Sequence, residues 1–290
     1  MRPAFGKGVT LFVIAAFATG FVFAQTGAEA AGPYPVPASS TATRSRTMPF
    51  AAGESLTYEG KVSKIIRGIS VADLTFTVEN AQADHYLISA EARSKGTLLK
   101  LFRYSFLQQM NSTIVRDEFR VVRSTKHDVQ KERIRDSEAQ FDYDRMRVTY
   151  VETDPQEPMR PPRTIASGIE DVTHDLVSGV YALRLLPLQV GKTFNLSVSD
   201  SGLVYSTPVR VVAREKQKTI FGNVMCFRVE PGVFGPGRMI EREGSMQIWI
   251  TDDARRIPVR SVVNTNIGRI DIRLRTYKNT KPSTAVTAVR

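Results

Sequence analysis

The chain has 290 residues and carries 40 Lys and Arg against 29 Asp and Glu, a formal net charge of +11. Its 42% content of hydrophobic residues is enough to build a core and excludes an intrinsically disordered chain. A lone cysteine, Cys226, excludes an internal disulfide, so packing and backbone pairing must hold the fold.

The first thirty residues read as a signal peptide. Arg2 and Lys7 precede an apolar run over 9–24, and small-residue exits follow at Ala24 and Ala30. The run is shorter than the ~20 residues that a helix needs to cross a bilayer, which argues against an anchor. Cleavage near Ala24 or Ala30 would place the protein in a periplasm or outside the cell. Residues 31–47, rich in Pro, Ser, Thr and Ala, read as a flexible linker. Residues 48–278 are expected to form one β-rich domain, and 279–290 a disordered tail. The basic excess biases an extracytoplasmic protein toward anionic partners such as lipid headgroups or acidic glycans. Nucleic acid is not expected, because secretion removes the chain from it and no recognition motif is present.

The first hairpin spans 53–79. Ala72, Leu74, Phe76 and Val78 alternate with polar residues, the period of a half-buried strand, and Leu56, Tyr58 and Val62 alternate in the strand before. Arg67-Gly68 supplies its turn. Tyr86, Ile88, Ala90 and Ala92 give the next strand the same one-sided character. The run from 97 to 110 is dense in Leu and Phe; it reads either as a two-sided buried strand or as a short amphipathic lip at a cavity mouth. Two polar strands at 118–130 and 131–142 have few apolar residues per face and are expected to extend into solvent, and a strand through Met146, Val148 and Tyr150 follows. The four prolines of 153–166 make that stretch a loop. A helix is predicted over about 172–185, with Leu176, Val177, Val180, Tyr181 and Leu183 on one arc and His174, Asp175, Ser178 and Ala182 outside it. Thr173 or Asp171 would cap it, and Pro187 ends it. Arg184 falls inside the apolar arc. A guanidinium there needs a carboxylate partner, Glu54 or Asp253, or must snorkel to the edge. Strands then resume at 193–198, 204–213, 219–231, 245–251, 257–263 and 269–277. The fold expected is mainly β: a single antiparallel, strongly curved sheet or barrel of about a dozen strands with one principal helix packed on it.

Three motifs carry a resemblance. They are Pro49-Phe50 with Gly53-Glu54-x-Leu56-x-Tyr58, then His174-Asp175-Leu176-Val177-Ser178 with Tyr181-x-Leu183-Arg184, and Ile248-Trp249-Ile250-Thr251-Asp252-Asp253 with Arg256-Ile257-Pro258-Val259-Arg260. Together they resemble a bacterial secreted family known only as domain of unknown function family 3108. The resemblance implies an extracytoplasmic β-rich protein and brings no established activity. The last motif is also similar to a hairpin of periplasmic lipoprotein-carrier proteins, whose curved sheet cradles acyl chains.

No nucleophile elbow, zinc-protease motif or phosphate loop is present, so no catalytic residue is assigned and no enzyme is expected. Glu170, Asp171, His174 and Asp175 could share a helix face and hold a metal, but they also make an ordinary acidic first turn; no metal and no cofactor is expected. Cys226, within an apolar strand, reads as a buried inert thiol. The expected function is non-catalytic binding of an apolar or lipid-like anionic ligand, with Leu98, Leu99, Leu101, Phe102, Arg184 and Trp249 as candidate contacts. The alternative is a cell-envelope scaffold that docks on glycan or a protein partner. Oligomeric state has no signature in the sequence.

Overall fold

A computed structural model describes residues 48–63, 68–82, 84–232, 246–265 and 268–279. The predicted leader and linker, the tail beyond Asn279 and most of the glycine-rich loop after Pro231 lie outside them. In chain order the strands before the first helix are β1 (Glu54–Ser63), β2 (Ile69–Gln82) and β3 (His85–Ser94), followed by helix α1 (Gly96–Phe102). Next come β4 (Phe106–Val115), β5 (Arg120–Gln130), β6 (Arg133–Asp142), β7 (Arg147–Thr153), β8 (Arg163–Gly168) and β9 (Thr173–His174), then helix α2 (Leu176–Leu185). The chain closes with β10 (Thr193–Asp200), β11 (Leu203–Thr219), β12 (Gly222–Pro231), β13 (Met246–Thr251), β14 (Pro258–Thr265) and β15 (Gly268–Asn279).

All fifteen strands form one sheet, in the order β8-β7-β6-β5-β4-β3-β2-β1-β15-β14-β13-β12-β11-β10-β9. It is a meander cut at its middle, where β1 and β15 bring the two ends of the domain together antiparallel. Every pairing is antiparallel except β9 with β10. The expectation of about a dozen antiparallel strands and one helix is therefore right in class, and among the described residues becomes fifteen strands, one parallel pair and two helices. Bulges after Thr57, Gly60, Thr113 and Val211 add twist, and the sheet coils around α2.

The coil does not close through a backbone ladder. Its two ends meet at the β10–β11 turn, where Ser201 and Gly202 take φ of 53° and 81°, the left-handed pair that a two-residue hairpin requires. The Ser167 hydroxyl of β8 donates to the Gly202 carbonyl at 2.7 Å. A Cβ on Gly202 would lie 2.6 Å from that of Tyr150 and 2.9 Å from that of Ile165. Only glycine permits this seam.

Helix α2 lies on the concave face and packs against β3, β4, β9 and β10. Tyr181 meets Phe50 edge-on at 4.8 Å and Phe76 at 6.2 Å. On its other side Leu183 joins Val209, Val211, Phe227, Val229, Ile248 and Ile250 in a second apolar cluster. The helix is thus buried on nearly all sides, and His174, Asp175, Ser178 and Ala182, expected outside the apolar arc, are buried too. The reason is topological: a helix inside a coil has no solvent face. The predicted caps are also corrected. Asp175 is the N-cap, accepting from the Ser178 amide at 2.7 Å while the Ser178 hydroxyl accepts from the Asp175 amide.

Three further sequence expectations shift. Residues 96–102 form a short helix, and the strand begins only at Phe106; a short apolar run is compatible with either state until its neighbours choose. The proline-rich loop ends at Pro162, and Arg163–Gly168 add the edge strand β8. The polar strands β5 and β6 do not run out into solvent. They curve with the sheet, so one of their polar faces lies on its inner side.

Candidate functional site

The inner face changes character along the sheet. On β1 to β4 it carries Leu56, Tyr58, Leu74, Phe76, Ile88, Ala90 and Met110, all buried. Register carries the same face onward: Met110 sits opposite Lys126, Gln108 opposite Asp128, Asp128 opposite Arg135, and Ser137 opposite Glu152. The alternating run Arg133, Arg135, Ser137, Ala139, Phe141 of β6 therefore grades from charge into core along one strand. Asp128 is 2% exposed. It accepts from Gln108 at 2.9 Å, from Gln130 at 3.0 Å and from Arg133 at 3.2 Å. A buried charge so fully satisfied is held at a cost that packing alone would not impose.

Of the clefts on this charged half, two reach its inner face. A small one, about 50 Å³, lies between β5–β7, the start of α2 and the β10–β11 turn, and is lined by Met110, Lys126, Phe141, Tyr150, Leu176 and Asp200 among others. Burial lowers the Lys126 ammonium, against the opposing pull of Asp128, Asp200 and Glu152. Burial likewise raises the Tyr150 phenol, whose hydroxyl donates to Glu152 at 2.9 Å. Beneath, Asp175 accepts a short hydrogen bond from Ser112, and burial raises its carboxyl. Its neighbour His174 is buried with Nδ1 unpartnered, and burial alone pulls its imidazole down to about 4.

The second cleft, about 250 Å³, is lined by Arg133, Arg135, Glu152, Thr153, Asp154, Arg160, Pro161 and Arg163. Its carboxylates are already engaged. Asp154, with a side chain 7% exposed, pairs with Arg135 and stands 3.9 Å from Arg160. The loop holding Arg160 is stiffened by Pro155, Pro158, Pro161 and Pro162 and by a turn in which the Gln156 amide donates to Asp154 at 3.1 Å. The Arg163 side chain has no ion pair or hydrogen bond among the described residues.

The candidate contacts read from the sequence do not gather in one place. Leu98 is fully buried in α1, where the Thr97 hydroxyl anchors the helix to the Ser70 carbonyl. Leu99, Leu101 and Phe102 share α1, but their side chains lie outside the described residues. Arg184 sits at the opposite end of β1, roughly 23 Å away along the strand at ~3.3 Å per residue. Its guanidinium holds Glu54 through both terminal nitrogens, at 2.5 and 2.9 Å, and donates to the carbonyls of Pro49 and Arg255. Both partners' side chains are wholly buried. Glu54 is thus the partner anticipated for Arg184, while Asp253 is occupied in its own turn by Thr251 and Arg255. Trp249 faces away from α2, opposite Ile248 and Ile250. Its indole donates to Glu215 at 2.6 Å, and Arg260 covers the ring at 4.8 Å. Cys226 is buried, and burial pushes its thiol up to about 12. No group of three metal-ligating side chains occurs among the described residues.

Sequence reasoning puts Lys126, Arg133 and Arg135 on polar strands expected to face solvent, and Arg160 and Arg163 in the proline-rich loop, and assigns none of them to a site. The available signal was a strand with arginine at every second position, 133 and 135, followed by a proline-fixed loop that carries a further arginine.

The pattern of motifs extends over a family match. The protein of unknown function family DUF3108 covers residues 55–275. The chain belongs to the DUF3108 family. Among solved structures, this DUF3108 protein is similar to a beta-barrel-like protein of domain of unknown function DUF1849 from Brucella abortus, with a TM-score of 0.54 and 10% identity over 80% of this chain and 99% of the other. That likeness is one of fold. A Bacteroides fragilis protein with a YmcC-like fold aligns over 81% of this chain and 100% of its own at 10% identity, with a TM-score of 0.30. No curated protein matches the sequence.

Proposed function

We propose that this DUF3108 protein is a non-catalytic, extracytoplasmic binding protein for a lipid-like anionic ligand, which it recognises by the charged end. The observation that carries this reading is the inner half formed by β5 to β8, where Lys126, Asp128, Arg133, Arg135 and Glu152 share a face that on β1 to β4 is mostly apolar, with Glu54, Gln108 and Ser112 as its polar members. Retaining charges on an inward face is costly unless they are used, and guanidinium groups suit carboxylate and phosphate. The leader sequence supports export, and the basic excess supports an anionic partner. Among the described residues the cleft beside α2 is about 50 Å³, well below the ~300 Å³ at which small-ligand pockets begin, and too small for an acyl chain. An acyl tail would lie outside the coil, leaving the headgroup as the recognised part.

Lipid extracted from natively purified protein and identified by mass spectrometry tests this. One bound anionic amphiphile per chain is expected. Delipidated protein that takes up neither a fluorescent fatty acid nor an alkyl phosphate sinks it.

The small volume of the cleft beside α2 favours a second reading, an envelope scaffold that docks on glycan or a protein partner. Stoichiometric capture of isolated cell-wall glycan by protein free of lipid would select it.

A further inference from the structure

Resting on the binding reading, we infer that the arginine cleft at the end of β6–β8 is a site for a phosphomonoester dianion. Four guanidinium groups, from Arg133, Arg135, Arg160 and Arg163, line a space of about 250 Å³ with two carboxylates, Glu152 and Asp154. The acids are committed inside the protein: Asp154 to Arg135 and Arg160, and Glu152 to the Tyr150 hydroxyl. They orient the arginines without neutralising them all, and the lining keeps two net positive charges, the complement of a dianion. Arg133 spends one terminal nitrogen on Asp128, and Arg163 spends none among the described residues. Forked N–H donors match phosphate oxygens two at a time, whereas lysines would meet them as point charges. The prolines of 155–162 hold Arg160 in place before the ligand arrives, which reduces the entropy lost on binding. The volume admits a phosphate with a short polar attachment and excludes a folded peptide.

The chemistry is shared by a lipid headgroup and a free phosphate. The experiment titrates the full mature chain, delipidated, with inorganic phosphate, octyl phosphate and octyl sulfate at low salt, read by calorimetry. Octyl phosphate is expected to bind at pH 8 and about tenfold more weakly at pH 5, because the second proton of a phosphomonoester leaves near pH 6. Octyl sulfate, a monoanion, is expected to bind at least tenfold more weakly than octyl phosphate at pH 8. Arg160→Ala, which leaves Asp154 its Arg135 partner, and Arg163→Ala, both at exposed positions, should each weaken binding about tenfold or more, and Lys192→Ala, an equal loss of charge elsewhere, should not. Tighter binding of octyl than of inorganic phosphate assigns a lipid headgroup, and the reverse assigns a free phosphate. Octyl phosphate binding that is unchanged in both arginine variants, or independent of pH, overturns the phosphate site while leaving the binding reading standing. No uptake of octyl phosphate or fatty acid by the wild type overturns both.

Discussion

Inward positions on β1 to β4 hold mostly apolar residues such as Leu56, Tyr58, Leu74, Phe76 and Ile88, whereas the inward face of β5 to β8 adds Lys126, Asp128, Arg133, Arg135 and Glu152 to its apolar residues Ala139, Phe141 and Tyr150. The strand period is two in both halves and the backbone ladder is continuous across them. What differs is the neighbour: the first half packs on α2, and the second faces the seam and its clefts. Sheet geometry is therefore indifferent to whether its inner face is apolar. The half that lacks the helix is free to carry charge, provided its carboxylates are paired.

The comparison can be broken most forcefully at the pair that fastens the helix to the apolar half. Arg184→Ala leaves Glu54 buried without a partner and should cost about 3–5 kcal/mol in urea denaturation, while the double replacement Glu54→Leu with Arg184→Met should recover most of that loss. A single-variant loss below about 1 kcal/mol would show that the helix is held by packing alone.

Acid should act next. Burial holds His174 at about 4 in the fold, against about 6.5 in an unfolded chain. The unfolded state therefore binds the extra proton between those values. The contribution of His174 is fully present above about pH 6.5 and falls as pH drops toward 4, by roughly 3 kcal/mol in all. Asp175, whose carboxyl is raised by burial, opposes the lower end of this slope by taking up its proton in the fold. Denaturation midpoints measured from pH 7 to pH 4 should fall steeply for wild type and more gently for His174→Gln. Equal slopes would remove His174 from the account.

The seam comes third. Gly202→Ala places a methyl 2.6 Å from the Tyr150 Cβ at a left-handed backbone position, and should cost about 2 kcal/mol by the usual penalties for overpacking and positive φ. If it costs nothing in thermal unfolding, the two ends of the sheet do not close on one another in solution. The smallest effect sharpens the contrast between the halves. Arg163→Ala, at an exposed side chain with no partner among the described residues, should change stability by no more than about 0.5 kcal/mol while changing ligand binding.

Much of this was legible residue by residue. Alternation at 72, 74, 76 and 78 places β2 with its buried face, and the apolar arc with a charge inside it places α2 and leaves Arg184 either a carboxylate or the edge, a choice the structure makes for Glu54. The dense run at 97–110 was ambiguous, since a few large apolar residues suit a short helix or a strand equally. Trp249 is a candidate contact from the sequence, where the strand period does not say which face meets the helix. The structure turns it away from α2 and under Arg260.

By itself, then, the sequence determined the β class, the alternation of the first strands, the helix, and the presence of Arg184 on its apolar arc. Only the tertiary structure decided that β5 and β6 present a polar face inward, that Asp175 rather than an earlier residue caps α2, and that the arginines of β6, β8 and the proline loop converge on one cleft. The physical reason is that a period of two declares two faces without saying which is concave. Curvature belongs to the whole sheet, set by bulges, by the enclosed helix and by the meeting of its two ends at Gly202.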